Sequence, residues 1–184
     1  GSVDKYIFDD ASKHPFFTRT QKYIICYGIA LAMRYLHRNG CIHRDLKVEN
    51  VLLDKNFYPY VTDFGSSKDM MRTNGSLTSS HPGITAKIQA PELIEDDGDT
   101  YYNSPPIDVY AYGVTLYEIW AESRFMKRYK TPYKLWKAVV DGEREEIPDN
   151  VPNEWKEMIE KCWAQDPADR PTFDQIVQVI ESKV

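Results

Sequence analysis

Residues 43–65 read His43-Arg44-Asp45-Leu46-Lys47-Val48-Glu49-Asn50, then Val51-Leu52-Leu53, Asp54-Lys55-Asn56, Phe57-Tyr58-Pro59-Tyr60-Val61-Thr62, and close with Asp63-Phe64-Gly65. The apolar pieces Val51-Leu52-Leu53 and Tyr58 to Thr62 stand on either side of a polar Asp-Lys-Asn turn. That pattern predicts a small hairpin with a loop at each end. The polar residues gather in those loops: the run from His43 to Asn50 precedes the hairpin and Asp63 follows it.

Working outward, Ile25, Ile29, Ala32 and Leu36 recur at helical spacing between Thr18 and His37, with Thr18 and Gln21 placed as a capping box. This helix should end at Asn39-Gly40, residues that tolerate a left-handed terminus. Residues 66–89 are rich in Ser, Thr, Gly and Lys without a clear period, and are expected to form a long, mobile loop with a functional role. Beyond Pro91 the chain reads as helical. Val109, Tyr112, Gly113, Leu116, Ile119 and Trp120 predict a helix apolar on most of its circumference, hence central and buried. Thr131-Pro132 opens a helix through Val140, with Pro in its first turn and Gly142 past its end. A third runs from Asn153 with Trp155, Met158, Ile159, Cys162 and Trp163 on one face. A fourth starts at Thr172, capped with Gln175, and buries Phe173, Ile176, Val177 and Ile180. The expected fold is a single, mainly α domain with a small β-ribbon.

Composition excludes several function classes. A chain of 184 residues that is 42% hydrophobic can bury one core. Its net charge of -5 argues against a nucleic-acid binder, which needs a basic surface. The apolar run from Ile24 to Met33 is too short to cross a bilayer, so no membrane segment is expected. Cys26, Cys41 and Cys162 form neither a CxxC pair nor an even disulfide framework, and no signal-like stretch opens the chain, which points to a reducing, cytoplasmic setting. His14, His37 and His81 lack zinc-ligand spacing. Glu95-Asp96-Asp97-Gly98-Asp99 lacks the spacing of a calcium loop and reads as a solvated turn. Lys127-Arg128-Tyr129-Lys130 reads as an exposed helix end.

His43 to Asn50 resembles the catalytic loop of the protein kinases; Asp63-Phe64-Gly65 matches their magnesium-binding motif, and Ala90-Pro91-Glu92 closes an activation segment of residues 63–92. The six fixed positions of the first motif alone arise by chance in about 1 in 10⁸ windows. By this resemblance Asp45 is the base for a substrate hydroxyl, Lys47 reaches the γ-phosphate, Asn50 and Asp63 hold Mg²⁺, and Leu52 lies beneath the adenine of ATP. The residue types suit phosphoryl transfer, which needs a proton acceptor, charge neutralisation and hard oxygen ligands. The resemblance also implies that Asp108 ties down the catalytic loop from the buried central helix, and that Arg170 pairs with Glu92. Lys47 resembles Ser/Thr-directed enzymes. Cys162-Trp163 and Arg170-Pro171-Thr172-Phe173 resemble the tyrosine-kinase-like group.

Two departures qualify the resemblance. Ala86-Lys87-Ile88-Gln89 replaces the pattern that relatives carry before the Ala-Pro-Glu motif, which leaves peptide preference open. Thr73, Ser76, Thr78, Ser79 and Ser80 are candidates for an activating phosphate near Arg44. Secondly, these 184 residues contain no glycine-rich loop, strand lysine or helix glutamate of the kind that grips ATP phosphates. Val3 to Asp10 resembles the short helix just after the hinge. The expectation is therefore a protein kinase C-terminal lobe over residues 1–184 without the N-terminal β lobe: a fragment of a Ser/Thr kinase acting on protein substrates, inactive alone, with its uncovered interface open to self-association. The alternative is a non-catalytic pseudokinase or single-lobe interaction module.

Overall fold

The computed structural model describes residues 1–9, 17–63, 68–69, 89–95 and 104–183. Helices are α1 (Val3–Phe8), α2 (Arg19–Arg38), α3 (Pro91–Glu95), α4 (Pro106–Ala121), α5 (Pro132–Val140), α6 (Asn153–Cys162) and α7 (Phe173–Glu181). Short strands are β1 (Cys41–Ile42), β2 (Val51–Leu53), β3 (Pro59–Val61) and β4 (Lys68–Asp69), with 3₁₀ turns at Val48–Asn50 and Pro167–Asp169. The mainly α architecture with a small β-ribbon is the one the sequence predicts.

Local chemistry sets the boundaries. Thr18 and Gln21 form the reciprocal capping box that starts α2, and Gly40, at φ 69°, takes the left-handed turn after it. Thr172 and Gln175 cap α7 in the same way. Helix α4 begins three residues earlier than its apolar pattern, at Pro106, because proline suits a first helical turn. Every residue of α4 from Ile107 to Trp120 is buried. α4 is the axis of the core: α6 packs along it, and α2 bridges from its side to α7. Trp163 caps α6 and stacks between Tyr117 and Phe125, while Trp155 meets Trp120 and Tyr23.

Antiparallel β2 and β3 pair in the register Val51↔Val61, Leu52↔Tyr60, Leu53↔Pro59, which is the predicted hairpin. Ser2 adds a bridge to Leu52, and Leu53 N–H donates to the Gly1 carbonyl at 2.8 Å, so the first residues belong to this ribbon. The pairing of β1 with β4 was not legible in the sequence: Lys68–Asp69 fall in a stretch with no apolar period, and their order comes from backbone bonds to Cys41–Ile42. The rest of 66–88, with the phosphate candidates, lies outside the described residues. So do His14, Phe64, Gly65, His81 and residues 96–99. Among the described residues no helix is long and apolar enough to cross a membrane. Cys26 and Cys162 are buried free thiols, and burial raises both above the usual thiol range.

Two glycines allow this packing. A Cβ on Gly28 would sit 2.4 Å from Cγ of Pro59, where α2 meets β3; one on Gly113 would sit 2.9 Å from Cβ of Cys162 and 3.0 Å from the backbone nitrogen of Trp163. At Gly113 the obstacle includes backbone, which cannot rotate away. Alanine in a helix gains about 1 kcal/mol over glycine, but overpacking costs about 1–3 kcal/mol. Gly113→Ala should therefore lose stability, read as a lower urea midpoint at unchanged m-value; an unchanged or higher midpoint would show that α4 and α6 separate freely.

Candidate active site

The site is built from the first turn of α4. Asp108 has no solvent exposure, and its carboxylate accepts the backbone N–H of His43 on Oδ2 and that of Arg44 on Oδ1, both at 2.8 Å. His37, near the end of α2, adds Nε2 at 2.8 Å from Oδ2. A carboxylate only accepts, so Nε2 carries the hydrogen. This is the anchoring role that the resemblance implied for Asp108. Arg44 sits at φ 70°, a conformation costing roughly 1–2 kcal/mol for a residue with a Cβ, and the bond from its N–H to Asp108 holds it there.

From that anchor the loop turns Asp45 inward. The Asp45 carboxylate is nearly buried; Lys47 Nζ reaches Oδ2 at 2.6 Å and Asn50 Nδ2 reaches the same oxygen at 3.0 Å. Asn50 Nδ2 also donates to the Asp45 carbonyl at 2.8 Å. His43 links the two ends of the loop region: Nδ1 accepts the Asp45 N–H at 3.3 Å, and Nε2 donates to the Thr62 carbonyl at 3.0 Å. Thr62 returns two bonds to the Asn50 carbonyl, from its N–H at 2.8 Å and from Oγ1 at 3.0 Å. Asp63 follows at φ 64° with its side chain outward. His43, Asp45, Lys47, Asn50 and Thr62 are thus brought together, with Asp63 one residue on. Leu52 lies on the outer face of the ribbon, 43% exposed, opposite Tyr60 at 58%.

The donor chemistry fits a hard cation. Both bonds of the Asn50 side chain come from its amide nitrogen, which leaves Oδ1 as a neutral oxygen donor, and Asp63, exposed one residue after Thr62, offers a carboxylate. Mg²⁺ takes few protein oxygens and keeps the rest of its shell for water and phosphate. No group of three or more His, Cys, Asp or Glu side chains with metal-holding geometry occurs among the described residues.

A second polar cluster fixes the end of the segment that starts at Asp63. Arg170 holds Glu92, the third residue of Ala90-Pro91-Glu92, by Nη1–Oε1 at 2.6 Å and Nη2–Oε2 at 2.8 Å. It also donates to the carbonyls of Pro106, Ala164 and Gln165. The arginine side chain is fully buried. Its guanidinium lies over the Tyr110 ring, with Arg144 also close to that ring. Burial pushes the Tyr110 phenol up to about 12 and lowers Arg144.

Sequence reasoning missed three participants. His37 was weighed only as a metal ligand, and Thr62 only as a strand residue. Arg124 binds Glu49 at 2.6 Å, pairs with Asp4 and stacks on Phe8 at 3.8 Å, so it joins α1 to the Val48–Asn50 turn. Nothing local to Arg124 signals a partner 75 positions away. In the basic stretch, Arg128 is engaged within the fold by Glu143 and Glu145. A groove of about 450 Å³ between α6 and α7 is lined by none of Asp45, Lys47, Asn50, Leu52 and Asp63.

A sequence model described as protein tyrosine and serine/threonine kinase matches residues 1–180. The chain belongs to this protein kinase family. It is 35% identical to the RGS domain-containing serine/threonine-protein kinase A of Dictyostelium discoideum over 99% of its length. It is 34% identical to the Kit-related mast/stem cell growth factor receptor of Xenopus laevis over 86%, and 32% identical to serine/threonine-protein kinase STY17 of Arabidopsis thaliana over 97%. The chain spans only 15%, 16% and 30% of the length of these relatives.

Removing one partner of a buried ion pair strands the other charge, at a cost of about 3–5 kcal/mol. Arg170→Leu should therefore destabilise the chain by that amount in chemical denaturation. A loss under about 1 kcal/mol, the worth of an exposed bridge, would show that Glu92 finds water.

Proposed function

We propose that residues 1–184 are the C-terminal lobe of a Ser/Thr protein kinase of the tyrosine-kinase-like group, with residues 43–50 as catalytic loop and 63–92 as activation segment. The supporting observation is the convergence of Lys47 and Asn50 on one oxygen of Asp45, in a loop whose other end is bonded beside Asp63. In this reading Asp45 takes the proton of a substrate Ser or Thr hydroxyl as that oxygen bonds to the γ-phosphorus of ATP and the bond to the departing ADP breaks. Lys47 balances charge on the transferring group as a point cation. Asn50 Oδ1 and the Asp63 carboxylate would hold Mg²⁺, which would neutralise phosphate charge. Leu52 offers an apolar surface to the adenine. Protein substrates and a reducing, cytoplasmic setting go with this assignment. The relatives named as serine/threonine kinases favour hydroxyl acceptors of that kind, and Lys47 favours the same choice.

The 184 residues alone should not transfer phosphate from Mg-ATP, because exposed groups grip phosphate only with the weak attraction that water allows. Joined to a small lobe with a glycine-rich loop and strand lysine, the same residues should phosphorylate Ser/Thr peptides, and Asp45→Asn should slow that transfer by roughly 10²–10⁴-fold. Autophosphorylation by the 184-residue chain would overturn its incompleteness. An inert two-lobe protein that still binds partners would favour the pseudokinase reading.

We further propose that Leu52, Tyr58 and Tyr60, each exposed on the ribbon, form an apolar strip that pairs with a second copy of this chain. Sedimentation should show self-association that rises with concentration and is lost in Tyr60→Glu; a strict monomer at high concentration would rule it out.

A further inference from the structure

A second cavity lies where the end of α2 meets the starts of α4 and α7. It encloses about 210 Å³ and is walled by Arg34, His37 and Arg38 of α2, Pro106 and Val109 of α4, and Phe173 of α7. We propose that this cavity binds a small carboxylate with a flat apolar body, and that its occupation is transmitted to residues 43–44 through His37 and Asp108.

Size and charge both select this class. The cavity is smaller than the roughly 300–1,000 Å³ of sites for drug-sized ligands, so a single ring is the body that fits. The proline, valine and phenylalanine walls accept a ring by burial of apolar area. Of the charged groups at the wall, Arg170 is committed to Glu92, and Arg38 is paired at 2.6 Å with Asp174, the one carboxylate among the described residues that also lines the cavity. Arg34 stands one turn from Arg38 on the same helix and makes no ion pair among the described residues. With Arg38 neutralised by Asp174, Arg34 is the cation left to an anion at the mouth, which gains a charge-assisted bond from it.

The route to the loop is short. His37 is a wall of the cavity, its ring set edge-on to Phe173 at 5.0 Å between centroids. Its Nε2 holds Asp108 Oδ2, and Asp108 holds the N–H groups of His43 and Arg44. One hydrogen bond separates the cavity wall from Asp108, and a second reaches the loop. The proposal concerns binding and does not depend on phosphotransfer by the chain.

Benzoate is the probe, with benzyl alcohol as its uncharged counterpart, titrated into the ¹⁵N-labelled 184-residue chain and followed by amide correlation spectra. Benzoate should give saturable shifts at the amides of Phe173, His43 and Arg44. Benzyl alcohol should bind about tenfold more weakly, the loss of one charge-assisted hydrogen bond. Arg34→Gln should weaken benzoate to the level of the alcohol while leaving the rest of the spectrum in place, with Arg34→Glu as a second variant. Equal response to the two probes, no change on replacing Arg34, or shifts at Phe173 that leave His43 and Arg44 unmoved would each overturn the proposal.

Discussion

The structure depends on a carboxylate that has no contact with water. An ionised group in such a place costs several kcal/mol unless its lone pairs are filled by donors, and Asp108 meets that condition with the N–H groups of His43 and Arg44 and the imidazole of His37. The donors come from the loop after β1 and from the end of α2, so satisfying one residue of α4 fixes the relative placement of three segments. It also explains how Arg44 can keep a left-handed backbone: the energy needed is about that of one or two good hydrogen bonds, and its N–H points at a charged acceptor. The carboxylate is dry because it stands on a helix buried from Ile107 to Trp120.

Arg170 solves the converse problem on the far side of α4. Its five donors are distributed over Glu92 and three carbonyls, so the buried cation is matched in geometry as well as in charge. Tyr110 lies against Arg170 and Arg144 and contributes the electron-rich face of its ring. The rise of its phenol to about 12 and the lowering of Arg144 share one cause, removal from water, which disfavours the charged form of either group. Asp108 and Arg170 together tether both boundaries of the region that carries the candidate chemistry, one at residues 43–44 and the other at residue 92.

What could be read in the sequence follows the range of each interaction. The α2 and α7 boundaries were legible because a capping box is a bond between residues three apart, and the hairpin because its turn residues separate two apolar pieces. Asp108 and the Arg170–Glu92 pair were foreseen through motif resemblance alone; nothing in spacing or periodicity places residue 170 against residue 92. His37, Thr62 and Arg124 escaped because their partners are distant and no motif names them. His37 in particular sits on a helix where its type has many uses, and only the position of Asp108 selects one. The β1–β4 pair escaped for a different reason: two-residue strands carry no period, and backbone bonds leave no mark on side-chain pattern.

The candidate chemistry is divided unevenly between buried and open groups. Asp45 is held by Lys47, Asn50 and His43, so in the proposed reading its orientation would carry little reorganisation cost at the moment of reaction. Asp63 and Leu52 lie on the open side, and a charge there acts through a dielectric nearer to that of water. Two unit charges 4 Å apart gain about 1 kcal/mol in water but about 4 kcal/mol at the effective dielectric near a protein surface. Covering the ribbon would therefore, on that reading, strengthen each contact to phosphate without moving the residues that make it. In the proposed reading the fold holds the proton acceptor Asp45 already in position, while nucleotide contacts at Leu52 and Asp63 remain open to water and correspondingly weak.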